Sequence, residues 1–112
     1  MSNLTLTPIK DWGFDFQKPI IISGPCSCET EEQMTETAQR LANKGIDVLR
    51  AGIWKPRTRP GMFEGIGKDG LAWLVNAGKE IGKPTTVEVA TAQHVTEALE
   101  AGVDILWIGA RT

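Results

Sequence analysis

The sequence predicts an α/β fold built on a parallel sheet, and three observations predict it. Four short apolar runs carry little polar alternation, as strands buried on both faces do. Amphipathic helical segments separate them, and a glycine marks the end of each helix. The order is therefore βαβαβαβ, and right-handed crossovers between neighbouring parallel strands would set every helix on one side of the sheet, as in a (β/α) barrel.

The predicted strands are Pro19–Ser23, Ile46–Gly52, Thr85–Val89 and Asp104–Gly109. Between the first two, Thr30-Glu31-Glu32-Gln33 matches a capping box, with Met34, Ala38, Leu41 and Ala42 on one stripe and Gly45 as the stop. A second helix is expected from Gly70 to Ile81, burying Leu71, Leu74, Val75 and Gly78 and ending at Gly82 before Pro84. A third opens at Thr91 with a stripe of Val95, Ala98 and Leu99 and stops at Gly102. Residues 1–18, with Leu4, Leu6, Trp12, Phe14 and Phe16, read as an extended arm closing one end of the sheet, and residues 19–112 as the barrel domain. A full eightfold barrel takes about 250 residues, so these units correspond to its first half, truncated after the fourth strand. The competing topology is a complete four-stranded sheet whose order reverses so that helices cover both faces.

Composition narrows the function. Of 112 residues, 41% are hydrophobic and 23% charged, the balance of a globular domain rather than a disordered or coiled-coil chain. The net charge of −2 gives no overall attraction to nucleic acid or an anionic membrane. The opening MSNLTLTPIKDWGF lacks the basic flank and apolar run of a leader or anchor, so a cytoplasmic chain is expected. Cys26 and Cys28 stand too close together to staple a fold and are too few for a structural zinc site.

Ligands of parallel α/β folds bind at the carboxyl ends of the strands. The segment after the second strand, RAGIWKPRTR, holds Arg50, Lys55, Arg57 and Arg59 within ten residues, with no acid before Glu64. Arginine offers a planar fork for phosphate or carboxylate and lysine a mobile point charge, so this mixture suits a small multiply charged anion such as a phosphorylated metabolite. The competing reading is a solvated basic loop. Cys26, after Gly24 and Pro25, is either an inert thiol, the commoner fate, or a donor if a metal lies near. Arg111 stands two residues past the fourth strand, within reach of the same anion or simply an ordinary terminal arginine. Glu88 interrupts the third strand, where it is either salt-bridged or placed to orient water and ligand. His94, the single histidine, reads as a surface residue without function, and Trp54 as the tryptophan nearest a ligand.

GPCS at 24–27, LRAGIWKPRTRPGMFEG at 49–65 and IGART at 108–112 resemble the 3-deoxy-D-arabino-heptulosonate 7-phosphate (DAHP) synthase family, in its short branch related to 3-deoxy-octulosonate 8-phosphate synthase. The likeness runs from Pro19 to the end, and KPRT at 55–58 sets it apart from the octulosonate relative, whose segment is KANRS-like. The resemblance implies a (β/α)8 TIM barrel that condenses phosphoenolpyruvate with erythrose 4-phosphate, releases phosphate and opens the shikimate route to aromatic amino acids. It implies a divalent metal (manganese, iron, cobalt or zinc) with Cys26 as one of four ligands. Arg50, Lys55 and Arg111 would contact phosphoenolpyruvate, Pro56, Arg57 and Thr58 erythrose 4-phosphate, and Glu88 an acidic active-site position. Lys55 is the expected proton carrier, since an ammonium crowded by cations shifts readily toward neutrality. The family's other metal ligands, a His, a Glu and an Asp from later strands, have no counterpart here, so activity of the chain by itself is not expected. A homo-oligomer is expected, with small-molecule substrates and no nucleic acid or membrane partner. Two alternatives accompany this reading: the octulosonate synthase, and a non-catalytic half-barrel that binds a phosphometabolite or pairs with a copy of itself.

Overall fold

The computed structural model describes residues 6–16, 19–54 and 66–109. A 3-10 turn at Ile9–Asp11 precedes β1 (Ile22–Ser23), α1 (Glu31–Leu41), β2 (Val48–Arg50), α2 (Lys68–Ile81), β3 (Thr85–Val89), α3 (Ala92–Ala101) and β4 (Ile105–Ile108). The strands lie in the order β1-β2-β3-β4, and each neighbouring pair is parallel. This is the βαβαβαβ half of a TIM barrel; the reversed strand order is absent. No helix among the described residues is long and apolar enough to cross a membrane.

Side-chain caps open α1 and α3 and left-handed glycines close α2 and α3, whereas α1 stops at Leu41, before the expected Gly45, where its last turn gives way to further turns. Thr30 caps α1 by accepting from the Gln33 N–H at 3.0 Å, and the Gln33 amide oxygen accepts in return from the Glu29 N–H at 2.7 Å. Helix α2 starts two residues earlier than the hydrophobic stripe suggests, at Lys68, and stops at Gly82 in the left-handed conformation, whose N–H bonds back to Gly78 and Lys79. Helix α3 repeats the α1 arrangement with Thr91 as cap, accepting from the His94 N–H at 3.1 Å.

One core forms between the helices and one face of the sheet. Met34 and Ala38 of α1, Leu71 and Leu74 of α2 and Ala98 of α3 pack with Leu49, Ala51, Val87 and Val89. Leu49, Leu71 and Leu74 are wholly buried, each worth roughly 1.5–3 kcal/mol relative to exposure. Gly78 lets α2 close on β3, because a side chain there would run into the Thr85 methyl and the Lys83 carbonyl. Leu99, placed by periodicity on the core stripe of α3, is 60% exposed; Val95, Ala98 and Ala101 make that contact instead.

Among the described residues no α-helix covers the other sheet face. Ile22, Val48, Arg50, Thr86, Ile105 and Trp107 line a hollow of about 340 Å³ there, joined by Ile9, Trp12 and Phe16 of the N-terminal segment. The segment expected to close an end of the sheet thus borders its helix-free face, through a 3-10 turn rather than a wholly extended arm, and Leu6 stays exposed.

A repeat underlies the frame. Gly45-Ile46-Asp47-Val48-Leu49 leads into β2 and Gly102-Val103-Asp104-Ile105-Leu106 into β4. In both, the glycine has positive φ, the next residue is buried, and the aspartate accepts a backbone N–H from the start of the preceding strand in the sheet. Asp47 takes the Ile21 N–H at 2.8 Å; Asp104 takes the Thr85 N–H at 2.9 Å and the Thr85 hydroxyl at 3.3 Å. These carboxylates satisfy donors at the amino-terminal margin of the sheet, where no strand residue is available to do so.

Removing the acceptor at Asp104 strands a donor of Thr85, which is only 1% exposed. Asp104→Ala is expected to cost about 1–3 kcal/mol and Asp104→Asn, which keeps an acceptor oxygen, roughly half of that, read as lowered urea midpoints at unchanged m-value.

Candidate functional site

The carboxyl ends of β1 and β2 are laced together. Gly24 sits against the Arg50 carbonyl, where a side chain would collide with backbone. The Gly52 N–H donates to the Pro25 carbonyl at 3.2 Å, and the Cys28 N–H to the Gly52 carbonyl at 2.8 Å. The Gly24–Cys28 turn and the Arg50–Trp54 run are therefore one unit.

The two cysteines on that turn part company. Cys26 is exposed, while Cys28 is wholly buried in the core. Burial, with Glu29 nearby, pushes the Cys28 thiol up to about 11. Cys28 is a packing residue, and Cys26 is the exposed thiol of the two.

Arg50 closes β2 half-buried, its side chain on the helix-free face beside Thr86, Ile105 and Trp107. The Thr86 hydroxyl, buried in the same lining, has no hydrogen-bond partner among the described residues. Glu88 stands two residues further along β3, hence on the same face, level with Trp107 of β4. No ion pair joins it to another described residue, so the salt-bridged alternative has no partner among them. Its carboxylate packs on Gly109, at the space a side chain at 109 would fill.

Next to Glu88, Trp54 and His94 form a flat stack with ring centres 4.0 Å apart and planes inclined by 8°. Together with Val89 and Ala90 they surround a small recess. Trp54 lies four residues past the end of β2, beside this recess. His94 corrects the sequence reading. It is half-buried rather than a surface residue, and its Nδ1 accepts the Ala90 N–H at 3.1 Å. The signal that finds it is the parallel between Thr30-x-x-Gln33 and Thr91-x-x-His94, which counting histidines overlooks.

Cys26, Arg50 and Glu88 are thus placed at successive strand ends, whereas Lys55, Pro56, Arg57, Thr58, Arg59 and Arg111 lie outside the described residues. Among the described residues no group of three or more His, Cys, Asp or Glu is gathered to hold a metal.

Two glycine substitutions distinguish rigid from yielding neighbours. Gly24→Ala must move the Arg50 backbone and is expected to cost more than about 2 kcal/mol, whereas Gly109→Ala meets only the movable end of Glu88 and is expected to cost under about 1 kcal/mol, both by urea unfolding. The Cys28 thiol has a pH signature. Its folded value lies above the reference of 9.0, so the unfolded chain ionises first and stability declines from about pH 9 toward 11. Cys28→Ala is expected to flatten that decline, and iodoacetamide to label Cys26 well before Cys28 in the folded chain.

The family model described as the DAHP synthetase I family matches residues 12–112. Phospho-2-dehydro-3-deoxyheptonate aldolase of Thermotoga maritima is 42% identical over 91 residues, covering 81% of this chain and 27% of that protein. 2-dehydro-3-deoxyphosphooctonate aldolase of Variovorax paradoxus is 33% identical over 104 residues, covering 84% and 36%. Among solved structures, that of the Thermotoga maritima phospho-2-dehydro-3-deoxyheptonate aldolase (DAHP synthase) superposes with a TM-score of 0.71 at 39% identity, over 82% of this chain and 25% of the other. A truncated form of the 3-deoxy-D-arabino-heptulosonate 7-phosphate synthase from the same organism gives 0.68 at 35% identity, over 82% and 31%. The chain thus spans between a quarter and about a third of the length of these relatives.

Proposed function

The chain belongs to the DAHP synthetase I family, and from that premise we propose that it contributes the first four strand ends of a 3-deoxy-7-phosphoheptulonate synthase site. In this reading the site joins C3 of phosphoenolpyruvate to the aldehyde carbon of erythrose 4-phosphate, water adds at C2, and phosphate leaves. The observation that carries the proposal is the run of Cys26, Arg50 and Glu88 at consecutive carboxyl ends of a parallel sheet, with the cationic sequence 55–59 following Trp54.

Arg50 supplies a fixed guanidinium to the phosphoenolpyruvate anion, joined by Lys55 and Arg111. The Thr86 hydroxyl beside Arg50 is a donor with no competing partner among the described residues. Pro56, Arg57 and Thr58 serve erythrose 4-phosphate. Lys55 carries the proton, and Glu88 orients water or a substrate hydroxyl. The reaction is assigned a divalent metal with Cys26 as a donor. The described residues do not complete its ligand set. The same reading takes residues 1–18 as an arm and 19–112 as a partial barrel, in a cytoplasmic homo-oligomer whose partners are its two substrates.

The Variovorax paradoxus likeness favours a second reading, an octulosonate-type synthase that takes a five-carbon sugar phosphate. The apolar hollow on the helix-free face favours a third, a non-catalytic half-barrel that pairs with a copy of itself; light scattering on the 112-residue chain separates it, a stable dimer that ignores phosphoenolpyruvate being its mark.

Calorimetric titration of the chain with phosphoenolpyruvate is the direct test. Binding is expected, with Arg50→Ala weakening it by about tenfold or more, as loss of a charged hydrogen-bond donor does. Arg57→Ala is expected to leave phosphoenolpyruvate binding nearly unchanged and to weaken erythrose 4-phosphate binding by a similar factor. Unaltered phosphoenolpyruvate affinity in Arg50→Ala removes that assignment, and preference for arabinose 5-phosphate over erythrose 4-phosphate transfers the chain to the octulosonate reading.

A further inference from the structure

The Trp54–His94 stack joins two strand ends by something other than backbone. Trp54 follows β2 and His94 lies in the first turn of α3, after β3. The residue before Trp54 is tied as well. The Gly67 N–H donates to the Ile53 carbonyl at 3.1 Å, and the Trp54 indole nitrogen borders Gly67, where an added Cβ would lie 3.9 Å away. Lys55-Pro56-Arg57-Thr58 follows Trp54 in the sequence, and the Trp54 indole lies flat on the His94 ring.

His94 has two jobs, and the internal repeat separates them. As third residue of its helix it returns a hydrogen bond to the backbone ahead of the cap, Nδ1 accepting from the Ala90 N–H. In α1 the same job is done by Gln33, whose Oε1 accepts from the Glu29 N–H. Capping therefore does not require an imidazole. Laying a flat ring over an indole does, and glutamine has none. Because Nδ1 accepts, the neutral ring carries its proton on Nε2, so the cap also fixes the ring's orientation.

We propose that His94 is a positioning residue that, through its stack on Trp54, fixes the end of the run that follows β2, the residue to which Lys55 is joined in the sequence. Its consequence for ligand binding rests on the phosphoenolpyruvate reading above. The placement itself does not. Ordering one side chain and its backbone in advance removes that cost from ligand binding, a factor of about two to ten.

The test compares wild type with His94→Gln and His94→Phe, following thermal unfolding, phosphoenolpyruvate affinity and the 1H–15N signals of the Trp54 indole and the Lys55 amide. His94→Gln keeps the cap and loses the stack. It is expected to unfold at nearly the wild-type temperature, shift both signals and bind phosphoenolpyruvate about two- to tenfold more weakly. His94→Phe loses the cap acceptor and keeps a ring. It is expected to unfold earlier while returning both signals and the affinity toward wild type. Unmoved signals in His94→Gln overturn the proposal whatever the ligand does, as does wild-type affinity in that variant. If the signals move and wild type binds no phosphoenolpyruvate, the positioning role stands and the ligand reading falls.

Discussion

Strand order is the constraint on which the rest depends. Because each strand pairs in parallel with its sequence neighbour, every crossover turns the same way and all three helices share one face of the sheet. Side chains alternate along each strand, so the two faces acquire different chemistry from adjacent residues. Leu49, Val87 and Val89 go to the helices and build the core; Arg50, Thr86 and Glu88 go to the other side. A guanidinium and a carboxylate can sit on these strands because, among the described residues, no helix layer seals that second face.

Much of this frame was legible because its signals are local. The α1 cap, the glycine stops of α2 and α3 and the limits of β3 follow from residue chemistry within a few positions, and the structure keeps them. β1 shows where locality fails. Five residues from Pro19 have strand character, yet only Ile22 and Ser23 hold ladder positions, since the Ile21 carbonyl is shared by the Asp47 and Val48 N–H groups and its own N–H goes to a side chain. Leu99 misled because a helical stripe defines an angle, and the docking of α3 on α2 and β3 decides which flank of that stripe touches the core. The N-terminal segment misled in the same way: Trp12 and Phe16 announce burial, but the surface they meet belongs to strands far along the chain.

The site was legible in part for a different reason. Charge concentrated at a strand end is a sequence property, and Arg50 and Glu88 stand where that logic put them. His94 carries no such mark. Its place depends on a ring 40 residues earlier and on a cap whose meaning becomes visible only when α3 is compared with α1. Such a residue is found by noticing that a position filled by glutamine in one repeat holds a histidine in the other, and asking what the substitution adds.

The spacing among the strand ends is set largely by side chains that are missing. At Gly24 the space a Cβ would take belongs to the Arg50 carbonyl, and at Gly109 to the Glu88 carboxylate. One glycine admits backbone, which cannot move without dragging β2; the other admits the flexible end of an acid, which can. The first contact therefore fixes the turn carrying Cys26 rigidly to the root of the cationic segment. The second leaves the carboxylate adjustable beside the Trp54–His94 recess. Arg50 is thereby held on a stiff strand end, whereas the Glu88 carboxylate keeps room to adjust.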